Sequence, residues 1–464
     1  MSKKSDVDCF FSPKGVAIVG ASQTPGKIGH EIVRNIKLSG FTGGVFPVNP
    51  NAETVLDLKC YRNISDVQAE VDLAVIAVPA GLVEGAVRDC VKKGVKGAII
   101  ITSGFSEVGD KGLEEKVVSL ARPGLRIIGP NTFGVFYAGS RLNATFGPGK
   151  VLRGKTAFIT QSGALGLALM DWTTEEKYGV SAIVSIGNKA DVDDADLVEF
   201  FSRDPSTSSI LIYMEGLRDG RKFFEASRRA VRKKPIVVIK AGRSARGAQA
   251  ASSHTGSIAG QDAIFTAAFE QAGIMRAEGM TQAFDWIQAL NENPAPKGEN
   301  IVIVTNGGGL GVLATDRCEL LGLKPAELSN DLKQEIQAIT PSFGSVKNPV
   351  DLTANADDAL YGKVLDLVLR RSDIDGVIAL FCQTANIDPT LVAQAMLDAR
   401  TRDALEKPIV AAFVGGHLSQ VAYSRMLEKK FAVYPTAERA VDAMYALMAR
   451  HRQLEHFKAG GGAA

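Results

Sequence analysis

The sequence predicts an α/β chain built from doubly wound parallel sheets. Three observations point there. Short apolar runs alternate with helical stretches, glycine-rich turns follow the runs, and one stretch in the middle of the chain is echoed by another near its end. Strand–helix alternation is what a parallel sheet with helices on both faces requires. At 464 residues the chain exceeds one compact core. The expected divisions are a first domain over 1–147, a second over 150–290, a linker over 291–300, a third over 301–455, and a tail over 456–464. The linker Asn291 to Asn300 is rich in Asn, Pro and Gly. The tail from Lys458 is low-complexity and is expected to be disordered.

In the first domain, Gly15 to Gly20 reads as a buried strand that runs into Gly20-Ala21-Ser22-Gln23-Thr24-Pro25-Gly26-Lys27-Ile28-Gly29, followed by a helix from His30 to Ser39. Strand, glycine turn and helix point free backbone N–H groups at a phosphate. The turn does not match the dinucleotide fingerprint. It also misses a P-loop, because five residues separate Gly20 from Gly26 and Ile28 stands where Ser or Thr would hold magnesium. Further strands are expected at Val45 to Val48, Asp72 to Val78, Gly97 to Ile101 and Leu125 to Ile128. Helices are expected at Leu82 to Lys93 and Lys111 to Ala121. A turn-forming or polar cluster follows each strand: Asn49-Pro50, Pro79-Ala80, Thr102-Ser103-Gly104-Phe105 and Gly129-Pro130-Asn131. These fall at the carboxyl edge of the sheet, where such folds bind ligands. Tight turns alone are the alternative for any single cluster.

The second and third domains read as one fold used twice. Thr160-Gln161-Ser162-Gly163-Ala164 matches Thr305-Asn306-Gly307-Gly308-Gly309, each after an apolar strand and each opening a helix. Asn188 to Asp191 matches Asn348 to Asp351, Pro235 to Gly242 matches Pro408 to Gly415, and Glu270 to Arg276 loosely matches Glu428 to Tyr434. The offset between copies falls from 173 at the Pro235/Pro408 pair to 158 at the Glu270/Glu428 pair, so the first copy carries 15 extra residues there. They contain the loop Ala250-Ala251-Ser252-Ser253-His254-Thr255-Gly256-Ser257. The glycine-led helix starts at Ser162-Gly163-Ala164 and Gly308-Gly309 can each favour an anion, by about 0.3–1 kcal/mol when exposed. Together they could hold a dianion without a lysine. Two βα turns with no ligand are the alternative.

His254 is expected to carry a phosphoryl group. A neutral imidazole is nucleophilic near pH 7, and its phosphoramidate passes the group on. A carboxylate on the other ring nitrogen would orient it, and Glu215, ending the strand Ile210 to Glu215, is the candidate. In the second copy Gln383 or a neighbour takes that place. The other histidines, His30, His417, His451 and His456, read as ordinary polar positions.

The charge balance of +2 gives no reason to expect nucleic acid or an anionic membrane as partner. No apolar run is long enough to span a bilayer. The five cysteines, Cys9, Cys60, Cys90, Cys318 and Cys382, lack metal-ligand spacing and are odd in number. They suit a reducing, cytoplasmic setting, and no metal site is expected.

Taken together, Gly20-Ala21-Ser22 with Pro25 to Gly29, Phe46 to Pro50, Thr102 to Phe105, Gly129 to Asn131, Gln161 to Gly163, Glu215-Gly216 and Ser253 to Gly256 resemble the α subunits of ADP-forming acetyl-CoA synthetases, in the succinyl-CoA synthetase superfamily. The resemblance runs to about residue 450. It implies a Rossmann-like CoA-binding domain followed by two flavodoxin-like ligase domains with doubly wound parallel sheets. Coenzyme A would lie with its phosphates near Gly20, Ser22 and Lys27, and Asn49, Pro79, Thr102, Ser103 and Asn131 would line the site. Phosphate, held at Ser162, Gly163, Ala164, Gly308 and Gly309, would attack the acyl-CoA. His254, stabilised by Glu215, would take the phosphoryl group and pass it to ADP. ADP or ATP with Mg2+ would bind a partner, because this chain has no nucleotide site. That partner would be an ATP-grasp β subunit in an α2β2 assembly. No added arginine waits for a second carboxylate, which favours a monocarboxylate. Three rival readings remain. One is a ligase of another acid, closer to succinyl-CoA synthetase. Another is a non-catalytic CoA-binding module, which would not need His254. The third is an NAD-dependent oxidoreductase, which would need an acidic residue where Asn49-Pro50 stands.

Overall fold

The computed structural model describes residues 6–247, 249, 262–403 and 406–460. His254, with the rest of 250–261, lies outside the described residues. The chain forms two compact units, Met1–Glu278 and Gly279–Ala464.

The first unit opens with β1 (Gly15–Val19), α1 (Ile28–Leu38), β2 (Gly44–Val48), a small hairpin of β3 (Thr54–Val55) and β4 (Leu58–Lys59), β5 (Leu73–Ile76), α2 (Ala80–Lys93), β6 (Gly97–Ile100), α3 (Lys111–Ala121) and β7 (Arg126–Ile128). The strands make a five-stranded parallel sheet in the order β2-β1-β5-β6-β7. β5 and β6 are buried throughout, which explains their unbroken apolar runs: a parallel sheet is covered on both faces. α2 stops at Gly94, whose φ of +77° suits glycine, with Lys92 and Lys93 at the negative end of the helix.

A second sheet follows in the same unit. Its elements are β8 (Gly134–Tyr137), β9 (Leu142–Thr145), β10 (Arg153–Thr160), α4 (Gly163–Glu175), β11 (Val180–Ser185), α5 (Asp194–Arg203), β12 (Ser209–Met214), α6 (Gly220–Ala230), β13 (Ile236–Lys240), α7 (Asp262–Ala272) and β14 (Met275–Ala277). The order is β14-β13-β12-β10-β11-β8-β9. The expected first domain, 1–147, includes residues 134–147 without assigning them a strand. In the structure β8 pairs antiparallel with β11, Val135 facing Val184. Local patterning does not reveal such a pairing, because the partner strand lies some 45 residues further along the chain.

The second unit contains α8 (Met280–Glu292), β15 (Ile301–Thr305), α9 (Gly308–Leu320), α10 (Asn330–Gln337), β16 (Val350–Asp351), α11 (Asp358–Leu369), β17 (Gly376–Cys382), α12 (Pro389–Arg402), β18 (Ile409–Val414), α13 (His417–Glu428), β19 (Val433–Tyr434) and α14 (Ala437–Gly460). Its sheet is parallel, in the order β16-β15-β17-β18-β19. α8, expected on the near side of the linker, packs on α14. Trp286 lies 6.0 Å from Tyr445 between ring centroids, and Asp285 takes two hydrogen bonds of 2.7 Å from Arg439. α14 runs to Gly460, through the start of the expected tail, while 461–464 lie outside the described residues.

Numbered within each sheet, both copies have the order 2-1-3-4-5: β11-β10-β12-β13-β14 and β16-β15-β17-β18-β19. This is the doubly wound order whose ligands sit at the carboxyl ends of the strands. The matches at Thr160/Thr305, Pro235/Pro408 and Glu270/Glu428 fall on equivalent elements. The match of Asn188 with Asn348 does not. Asn188 follows β11, whereas Asn348 precedes β16, and Asp351 faces Thr305 where Ser185 faces Thr160. The Asn-X-X-Asp spacing is a coincidence.

Candidate active site

The glycine turn after β1 is shaped by close approach. Gly20 has φ +94°, and a Cβ there would lie 2.5 Å from the Ala77 carbonyl oxygen. A Cβ on Gly29 would lie 2.0 Å from the Gly20 oxygen, so the first turn of α1 packs on the turn that precedes it. The N–H of Gly26 is taken by Glu31 Oε1 at 2.9 Å. That bond, then His30 and Arg34, hold the Glu31 carboxyl below its usual range. His30, read from sequence as an ordinary polar position, is buried against Glu31, with Nδ1 3.1 Å from Oε1.

A cavity of about 770 Å³ opens at this edge. On one side it is lined by Gly20, Ser22, Lys27 and Gly29. Pro79, Thr102, Ser103 and Asn131 form the strand-end wall. The far wall is Gln161, Gly163 and Ala164, with apolar Phe133, Phe146 and Leu167 beside them. Seven of the residues expected to bind coenzyme A thus share one cavity with Gly163 and Ala164 of the expected phosphate site, while Ser162 is not in the lining and Gly308 and Gly309 belong to the second unit. Asn49 does not line it; its Nδ2 donates to the Ala21 carbonyl at 2.7 Å and so holds the turn. Ser162 is the N-cap of α4, its Oγ accepting from Leu165 N at 3.3 Å. Asn35 in α1 donates to the carbonyls of Thr145 and Gly147, both at 2.9 Å, and thereby fixes Phe146 between them. Gly166 leaves room for Phe133, whose ring would lie 2.2 Å from a Cβ at that position.

Behind the far wall the chain turns at Glu215. This residue follows β12 directly and is 7% exposed. Gln161 Oε1 accepts from Glu215 N at 2.9 Å and Gly216 N at 3.1 Å, and its Nε2 donates to Gly216 O and to Asp194 Oδ1, both at 2.9 Å. Lys189 Nζ donates to Gly216 O at 2.6 Å. Lys240, at the end of β13, donates to Glu215 O at 2.9 Å. Burial pulls the Lys240 pKa down, against the opposing pull of Asp262. Gln161, Lys189, Asp194 and Lys240 were missed as site residues. A lysine closing the apolar run Ile236–Lys240 was the available signal, since lysine is seldom buried without a partner.

The second copy repeats this turn in its own unit. Thr160 Oγ1 and Thr305 Oγ1 each accept from the N–H two residues on, at 3.0 Å. Asn306 Oδ1 accepts from Cys382 N at 2.7 Å, as Gln161 does from Glu215 N. By strand register the equivalent of Glu215 in the second copy is Cys382, the neighbour of Gln383. At the start of α9, a Cβ on Gly308 would lie 3.0 Å from Asp351 Oδ2, and one on Gly309 would meet nothing within 4 Å. A carboxylate already stands by that helix end. Among the described residues, no group of His, Cys, Asp and Glu could hold a metal ion, and no helix is long and apolar enough to cross a membrane.

Three family models match: a CoA binding domain over 14–138, a succinyl-CoA ligase like flavodoxin domain over 153–290, and a ligase-CoA domain over 301–455. The chain is 48% identical over 448 residues to the alpha subunit of acetate–CoA ligase [ADP-forming] I of Pyrococcus furiosus, covering 95% of this chain and 97% of that one. It is 38% identical to an acetate–CoA ligase [ADP-forming] of Methanocaldococcus jannaschii, covering 93% of this chain and 61% of that longer one. The structure superposes with a TM-score of 0.95 and 48% identity on dinucleotide forming acetyl-coenzyme A synthetase 1 of Ca. Korarchaeum cryptofilum in complex with phosphate and ADP, covering 97% and 98% of the two chains. A cavity that joins the glycine turn after β1 to a glycine-led helix start, and one sheet topology used in each unit, agree with these likenesses: the chain belongs to the family of ADP-forming acetate–CoA ligase alpha subunits.

Proposed function

We propose that this chain catalyses the acyl half of an ADP-forming acetate–CoA ligase reaction. Acyl-CoA and phosphate give an acyl phosphate and CoA, and His254 then carries the phosphoryl group to ADP. The observation that carries this reading is the shared cavity, which joins the Gly20–Lys27 turn to the start of α4 at Gly163. Coenzyme A fits the first end. Gly20 brings backbone close without a side chain, and Lys27 supplies positive charge at a helix start. Pro79, Thr102, Ser103 and Asn131 would flank the ligand, with Ser22 at its phosphates. Asn49 acts through the turn.

Phosphate at the N–H groups of Gly163 and Ala164, with Ser162 as cap, attacks the thioester carbonyl. The C–S bond breaks and the thiolate leaves with a proton. A ring nitrogen of His254 then attacks phosphorus, the P–O bond to the acyl group breaks, and carboxylate departs. Glu215 orients the ring and offsets its developing charge. Gly308 and Gly309 are assigned the same anion-holding role in the second unit. ADP with Mg2+ takes the phosphoryl group on an ATP-grasp β subunit, in an α2β2 assembly. A small monocarboxylate is the favoured acid. The five free cysteines suit a cytoplasmic setting.

The test uses the chain with its partner subunit and ATP labelled at the γ-phosphate. Acid-labile, base-stable label is expected on wild type and absent from His254→Ala. Label retained in that variant removes the proposed role.

A further inference from the structure

We infer that Gln161 is a positioning residue for phosphoryl transfer, setting the Glu215–Gly216 turn against the phosphate-binding end of α4. This rests on the proposed role of Glu215 and adds a residue that acts through it. Gln161 occupies both places at once. It lines the cavity one residue before the N-cap Ser162, and its amide grips the N–H groups of Glu215 and Gly216 and the Gly216 carbonyl. The remaining amide hydrogen goes to Asp194, which is 1% exposed and lies 3.4 Å from Lys189 Nζ. The amide is therefore held in one orientation, and so is the turn it holds.

The second copy supplies an internal comparison. There the same position is Asn306, one methylene shorter. It accepts from a single N–H, that of Cys382, and donates to the same residue's carbonyl. The grip on the register-equivalent N–H, that of Glu215 in one copy and Cys382 in the other, is thus common to both copies and belongs to the scaffold. The extension to a second N–H and to a buried carboxylate is found at the glutamate-bearing turn. The extra length of Gln161 serves the placement of Glu215, because the scaffold alone is satisfied by asparagine.

The test is Gln161→Asn in the full chain assembled with its partner subunit, which gives the first copy the shorter amide. CoA affinity and the rate of phosphohistidine formation are measured separately, with Gln161→Glu and Glu215→Gln alongside. The expected result is CoA affinity within about twofold of wild type and phosphohistidine formation slowed about 100-fold, the scale of a misplacement near 1 Å. Gln161→Glu keeps both N–H acceptors but sets a carboxylate oxygen against Asp194 and the Gly216 carbonyl, and is expected to lose the phosphorylation rate as well. Wild-type phosphorylation in Gln161→Asn, with Glu215→Gln inactive, overturns the inference and leaves the function standing. Wild-type phosphorylation in Glu215→Gln overturns the role of Glu215 and the inference with it. Equal loss of CoA binding and phosphorylation in both Gln161 variants makes the residue a fold element and also overturns the inference.

Discussion

Lys240 Nζ donates to the backbone carbonyl of Glu215 at 2.9 Å, from a side chain only 4% exposed that also lies 4.6 Å from the centroid of the Phe265 ring. A buried ammonium is costly unless it is satisfied, and here its partners are backbone groups at the ends of β12 and β13. Lys240→Met keeps the volume and removes the donor. It is expected to cost about 1–3 kcal/mol of stability. It should also slow phosphohistidine formation more than it weakens CoA binding. Thermal unfolding checks the first part, and a phosphorylation time course beside a CoA titration checks the second.

The closest backbone approach at the cavity predicts a loss of binding. Gly29→Ala places a methyl group 2.0 Å from the Gly20 oxygen, so the turn must shift. The strain is expected to cost about 1–3 kcal/mol. CoA affinity should fall with it, because the moved turn carries Ser22 and Lys27. Gly163→Ala is the control on the opposite wall: a Cβ there meets nothing within 4 Å. It should leave stability almost unchanged.

Glu31 gives the turn a pH dependence of known sign. Its carboxyl is held below the ordinary value of 4.5, first by the Gly26 N–H and then by His30 and Arg34. A carboxyl with a lowered folded pKa stabilises above its unfolded value and loses that contribution as pH falls through the folded value. The thermal midpoint of wild type should therefore drop more steeply below about pH 4.5 than that of Glu31→Gln. Parallel melting curves from pH 6 down to pH 3 make the comparison.

In the second unit, Asp285 is 7% exposed and takes both of its 2.7 Å bonds from Arg439. Arg439→Met leaves that carboxylate without its cation. Removing one partner of a buried pair costs about 3–5 kcal/mol, and one-third exposure of Arg439 brings the expectation to about 2 kcal/mol. The second unit should melt earlier while CoA affinity, a property of the first unit, stays at the wild-type value.

The strand–turn–helix units were legible because glycine turns punctuate short apolar runs. Gly20, Pro79, Thr102 and Asn131 were placed at one edge by the rule for parallel sheets, and they line one cavity. The duplicated topology was legible at Thr160/Thr305 and Pro235/Pro408, where the turn chemistry itself is repeated. Asn188/Asn348 misled, because a short polar spacing carries no register. The antiparallel strands β8 and β9 were missed for a related reason: their partner β11 is chosen by tertiary pairing. Gln161 was visible only as a letter in a motif. Its four hydrogen bonds depend on where β12 ends in space.

The most direct test of the account omits the nucleotide. The purified chain is incubated with acetyl phosphate labelled in its phosphoryl group, and the protein is assayed for acid-labile, base-stable phosphate. The account predicts label on wild type, none on His254→Ala, and a rate in Glu215→Gln lower by about 100-fold or more. Label that persists in His254→Ala, or wild-type labelling in Glu215→Gln, would contradict it.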